Sequence, residues 1–111
     1  MRHFTFINEE MHAENVPLKE IARVVGTPCY VYSSATFERH FNVFKDSVSD
    51  IDALIAYSVK ANSNIGILAT LSKLGAGADV VSGGELQRAL TAGIPANKIV
   101  FSGVGKTKDE I

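Results

Sequence analysis

The residue most able to do covalent chemistry in this chain is Lys60. It closes the run Ala53-Leu54-Ile55-Ala56-Tyr57-Ser58-Val59. A primary amine in partly desolvated surroundings gives up its proton more readily, and the neutral amine is the form that condenses with an aldehyde to a Schiff base. Asp79 follows 19 residues later in Gly77-Ala78-Asp79-Val80-Val81-Ser82, a run too apolar for an ordinary surface carboxylate. Spacing leaves two roles open for it: partner or orienter of the lysine, or a turn or cap residue. Glu85 stands three residues after Ser82, the spacing of a helix capping box.

Other patterns with chemical precedent fail on inspection. Gly75-Ala76-Gly77-Ala78-Asp79-Val80 has two glycines of a dinucleotide fingerprint but Val80 at the third, and it follows a helical pattern instead of a strand. Gly105-Lys106-Thr107 ends like a phosphate-binding loop, yet Val100 occupies the place of its first glycine. His12 and Glu14 with Pro28-Cys29 lack the second cysteine of a zinc deaminase. No metal site is expected, and His3, His12 and His40 read as surface histidines.

The elements that must position Lys60 and Asp79 come from a chain of 111 residues with 11 Lys+Arg against 12 Asp+Glu and 46% hydrophobic residues. That allows one domain at most. A net charge of −1 without a basic block removes the electrostatic case for nucleic acid or an anionic membrane, leaving a small-molecule substrate or a protein partner. The single cysteine, Cys29, excludes an internal disulfide framework. With no apolar leader and no run near the roughly 20 residues of a bilayer span, a cytoplasmic protein is expected.

Periodicity gives a short strand around Phe4 and Phe6, a polar stretch from Asn8 to Asn15, and a helix entered at Pro17 and closed by Gly26. Pro28 to Tyr32 reads as a strand. Ser33 or Ser34 caps a helix striped by Phe37, Phe41, Phe44 and Val48. Residues 53–59 read as a strand covered on both faces, followed by a helix through Ile65, Leu68, Leu71 and Leu74 closed by Gly75. A strand over 77–82, a helix from Ser82 to Gly93 and a strand over 99–102 complete the pattern. Thr107 and Glu110 have the spacing of another capping box, which suggests a helix to come and hence the N-terminal piece of a longer polypeptide. Repeated βα units with short connections point to an α/β fold, as an open doubly wound sheet or a (β/α)8 barrel. In both, strand C-terminal ends carry the chemistry, which is where Lys60 falls.

Three segments in this order carry a resemblance: Tyr57-Ser58-Val59-Lys60-Ala61-Asn62, Gly77 to Leu86, and Ile99 to Thr107. Together with Val16-Pro17-Leu18 and Gly26 to Tyr32, the chain resembles the fold-type III pyridoxal-phosphate decarboxylases over nearly its whole length. The resemblance implies the first three βα units of a (β/α)8 TIM-like barrel, alanine racemase-like, over 34–111. Residues 1–33 would be an N-terminal strand and helix segment associated with a second β domain. It implies pyridoxal 5'-phosphate as cofactor, Lys60 as the catalytic lysine of the internal aldimine, Asp79 beside it, and Glu85 reaching toward the cofactor. It further implies a homodimeric parent enzyme that removes the D-centre carboxylate of meso-2,6-diaminopimelate to give L-lysine, with this chain alone inactive. Another basic amino-acid decarboxylase or racemase, or a non-catalytic pyridoxal-phosphate-binding or structural fragment, remains the alternative. Cys29 is not expected to take part.

Overall fold

The computed structural model describes residues 3–111. Its first unit is a small antiparallel sheet of β1 (Phe4–Ile7), β2 (Glu10–Ala13) and β3 (Val16–Pro17) in that order. The stretch read as polar and irregular contains β2, because Asn8 and Glu9 both take positive φ, 48° and 66°. That is the conformation of a two-residue hairpin turn whose twist matches its strands, and it is normally signalled by glycine. Helix α1 (Leu18–Val25) begins after Pro17 and ends at Gly26, φ 88°, in the left-handed region glycine adopts at a helix end.

Pro28 to Tyr32 forms no strand, a correction to the sequence reading. Aromatic and β-branched residues favour strands only where a neighbour completes the ladder, and here Tyr30 and Tyr32 stack on each other while exposed. Ser33 then caps α2 (Ser34–Ser47), its hydroxyl accepting from the Thr36 amide at 3.2 Å. The expected stripe is only partly used, since Phe41 is buried and Phe44 is 55% exposed.

The second sheet is parallel, in the order β4 (Ala56–Ser58), β5 (Gly77–Val80) and β6 (Ile99–Phe101). Helix α3 (Ile65–Lys73) connects β4 to β5, and α4 (Gly83–Thr91) connects β5 to β6. Asn64 caps α3 by accepting from the Gly66 amide, and Gly75 at φ 93° turns the chain back toward β5. Both helices pack on one face. Leu68 of α3 and Ala89 of α4 meet Ala78 and Val80 of β5, with Val59 and Ile94, in a cluster that is fully buried or nearly so. Phe41 of α2 joins Ile67, Leu71 and Ala76 in a second cluster beside it.

The opposite face of the sheet carries Ser58, Asp79 and Val100 in register, and Val100 is 49% exposed. The strand read as covered on both faces is therefore covered on one. Its regular part is also shorter than 53–59, because Val59 already turns into a single 3-10 turn. After β6, Thr107 and Glu110 form their capping box without a helix following among the described residues.

Candidate active site

Two consequences of strand geometry build the site. Successive side chains in a strand point to opposite faces. With Ala78 and Val80 buried under the helices, Asp79 must face the open side. Its neighbours there are fixed by register: Ser58 of β4 lies directly beside it, and Ser102 follows the last residue of β6. The Ser102 hydroxyl donates to Asp79 Oδ1 at 2.5 Å, and the Ser58 hydroxyl to Oδ2 at 3.4 Å.

Lys60 lies two residues beyond Ser58, in the 3-10 turn Val59–Ala61. The turn sinks Val59 into the core and leaves Lys60 exposed. The burial expected from the apolar run therefore does not extend to Lys60 among the described residues. Lys60 joins no ion pair among the described residues, and neither does Asp79. Of the two roles left open for Asp79, pairing with Lys60 is not seen among the described residues, where two hydroxyls bond the carboxylate, although strand order brings both residues to the same end of the sheet.

The loop after Lys60 is held from several sides. Tyr57, whose phenol is pushed up by burial, donates from its hydroxyl to the Asn62 carbonyl at 3.4 Å. Arg88 of α4 donates to the Ser63 carbonyl at 3.3 Å, and Asn62 Oδ1 accepts from the Asn64 amide at 3.0 Å.

Glu85 behaves as the capping residue its spacing suggested. Its amide donates to the Ser82 hydroxyl at 3.2 Å, and its carboxylate accepts from the Val81 amide at 2.8 Å, turned back on its own helix start. Sequence reasoning placed Glu110 only in a capping box with Thr107; its Oε1 accepts from the Gly83 amide at 2.8 Å while Oε2 accepts from the Thr107 amide at 2.9 Å. These backbone bonds, Thr107 first, hold its carboxyl below the usual range. One carboxylate thereby ties the loop after β6 to the first turn of α4. The capping-box spacing signalled the Thr107 contact, but nothing local signals the reach to Gly83. Ser58 and Ser102 were also missed, and their one signal was a small polar residue at the end of each of two predicted strands.

The histidines make local contacts: His3 Nδ1 with the Thr36 hydroxyl, His12 Nδ1 with the Glu10 carbonyl, and His40 Nδ1 with the Thr36 carbonyl. No cluster of potential metal ligands occurs among the described residues. Grooves lie elsewhere, among them one between α2 and the start of β4 and one around Ala13, Glu14 and Tyr32.

Comparison with known proteins supplies the remaining observations. Residues 34–111 match the family described as pyridoxal-dependent decarboxylase, pyridoxal binding domain. The chain is 54% identical over 112 residues to the diaminopimelate decarboxylase of Vibrio cholerae, covering all of this chain and 27% of that protein. It is 50% identical to that of Pseudomonas fluorescens over 111 residues, with the same coverage. Among solved structures, the diaminopimelate decarboxylase from M. jannaschi superposes with a TM-score of 0.90 at 36% identity, over 97% of this chain and 26% of that one. The chain therefore spans about a quarter of the length of the curated relatives it matches.

Proposed function

The chain belongs to the pyridoxal-dependent decarboxylases, and on that premise we propose that the parent enzyme removes the D-centre carboxylate of meso-2,6-diaminopimelate to give L-lysine. The observation that carries the reading is that Asp79, bonded to Ser58 and Ser102, and Lys60, two residues beyond Ser58, all fall at the C-terminal end of the same parallel sheet. In parallel α/β folds that end is where ligands are handled. The substrate is taken from the names of the relatives at 54% and 50% identity.

The residues fit pyridoxal phosphate. Lys60 offers an exposed primary amine in no ion pair among the described residues, the kind of group that joins an aldehyde. When bound, pyridoxal phosphate supplies the electron sink into which the bond to the departing carboxylate breaks. Lys60 would be the residue that holds the cofactor, through its side-chain amine. Asp79 sets a negative charge at the rim, against which a protonated nitrogen is stabilised. Glu85 and Ser82 fix the start of α4 and so the wall beside Asp79.

Residues 34–111 make up the opening part of a (β/α)8 barrel. The order β4-β5-β6 with both helices on one face is what successive right-handed βα units of such a barrel give, and the family resemblance supports the barrel over a doubly wound sheet. The open face of Ser58, Asp79 and Val100 is then the barrel interior. Residues 1–33 go with a separate β domain, in keeping with the antiparallel sheet of β1 to β3 and a family match that starts at residue 34. The resemblance supports a homodimer and a cytoplasmic location, while no helix among the described residues is long and apolar enough to cross a membrane.

The test is carbon dioxide release by the purified full-length enzyme with pyridoxal phosphate, offered meso-diaminopimelate, L-lysine, ornithine or arginine in turn. Turnover of meso-diaminopimelate at a kcat/KM at least a hundredfold above the others is expected. Preference for any of the other three would replace the substrate, and no turnover of any would remove the decarboxylase reading.

A further inference from the structure

We propose that Ser102, seconded by Ser58, is a positioning residue that holds the Asp79 carboxylate at the strand-end rim as an uncompensated negative charge for a cationic nitrogen. The proposal rests on the assignment of Lys60 and Asp79 to the pyridoxal phosphate site.

Three observations carry it. The first is the geometry of the bonds. A hydroxyl donating to a carboxylate at 2.5 Å lies in the range of charge-assisted bonds, about 2.5–2.7 Å, and the second hydroxyl occupies the other oxygen. The second is the identity of the donors. A serine hydroxyl is neutral, so it orients a carboxylate without cancelling its charge, whereas Lys or Arg in the same place would do both. Asp79 has no ion-pair partner among the described residues, and the nearby lysine of the chain, Lys60, is not spent on it. The third is register. Ser58 and Asp79 face each other on neighbouring parallel strands, and Ser102 directly follows the third, its amide bonded to the Val80 carbonyl at 3.0 Å, so the sheet itself sets their spacing.

An aspartate on an open face has several side-chain rotamers available. Without an anchor its carboxylate would sample positions away from the rim or take a passing cation. With one oxygen tied to Ser102 and the other to Ser58, it keeps a single orientation and a free negative field. Ser102 holds the closer contact and carries most of this. Ser58, at 3.4 Å, carries less.

The experiment uses the full-length enzyme loaded with pyridoxal phosphate. Ser102→Ala should lower kcat by about tenfold, the order expected of one hydrogen bond to a charged group, with KM within about threefold. Ser58→Ala should lower kcat by about threefold, and Ser102→Thr, which keeps the hydroxyl, should stay within about threefold of the parent. In an Asp79→Asn background, Ser102→Ala should change kcat less than about twofold, because the group it orients is gone. Apart from turnover, the visible absorption of bound pyridoxal phosphate in Ser102→Ala should shift in the same direction as in Asp79→Asn. Wild-type kcat and spectrum in Ser102→Ala, or an undiminished loss in the Asp79→Asn background, would overturn the proposal. Borohydride trapping on the same samples separates the premise. Label away from Lys60 removes the site assignment, while label on Lys60 without coupling between positions 79 and 102 removes the serine anchor alone.

Discussion

Replacing Gly77 by Ala probes the spacing of the strands that present Asp79. Gly77 starts β5 and is buried, and a Cβ built on it would lie 2.3 Å from the Lys98 carbonyl oxygen and 3.2 Å from Leu54 Cδ1. The obstructing atom is backbone at the entrance to β6, so no side-chain rotation relieves it. Restoring ordinary contact requires β5 and β6 to part by about 1 Å at that point. The Ser102 amide bond to the Val80 carbonyl, 3.0 Å in the native sheet, is the kind of contact that such a shift stretches past hydrogen-bonding range. Overpacking costs roughly 1–3 kcal/mol and a weakened ladder bond about 1 kcal/mol, so a loss of about 2–4 kcal/mol is expected. For a chain of this length that corresponds to a Tm lower by roughly 10–20 °C. Thermal unfolding of the chain followed by circular dichroism measures it, with Gly105→Ala as the control, since nothing lies within 4 Å of a Cβ there. Gly105→Ala should stay within about 0.5 kcal/mol of the parent. A Gly77→Ala variant equally close would refute the reasoning, and with it the rigid strand spacing on which the Asp79–Ser102 contact depends.

Glu14 joins the N-terminal sheet to the start of α2: its Oε1 accepts from the Ser33 hydroxyl at 2.7 Å and the Ala35 amide at 3.1 Å, and these bonds, Ser33 first, lower its pKa below the ordinary 4.5. A depressed folded-state pKa contributes stability that is present above 4.5 and lost as pH falls through the folded value, so Glu14→Gln should cost about 1 kcal/mol at pH 7 after allowance for solvent screening and less than that near pH 3. Urea denaturation at the two pH values checks this, and a cost independent of pH would contradict it. Glu85→Ala removes one capping bond and should cost about 1 kcal/mol in the same assay, while Glu85→Gln, which keeps an acceptor for the Val81 amide, should cost less than half of that; equal losses would mean that the charge of Glu85 matters beyond the cap.

Local signals located most of the elements. Helical stripes, Ser33, Ser82 and the glycines at 26 and 75 made the helices readable because each end is decided by its own few residues. The hairpin at Asn8-Glu9 escaped because neither residue is the glycine that advertises a left-handed turn. Pro28 to Tyr32 misled because strand propensity does not supply a partner strand. The site divides in the same way. Lys60 and Asp79 could be singled out as charges ending or interrupting apolar runs. What holds Asp79, and what Glu110 holds, depends on register across strands and a contact spanning 27 residues, which no window along the chain contains.

The central claim is that Lys60 is the point at which pyridoxal phosphate attaches. Borohydride reduction of the full-length enzyme with bound cofactor, digestion, and mass mapping of the pyridoxyl label tests it directly. A single label on the peptide containing Tyr57-Ser58-Val59-Lys60-Ala61-Asn62, abolished by Lys60→Ala in a protein that still folds, is expected. A label on another lysine, or a full label in the Lys60→Ala protein, would contradict it.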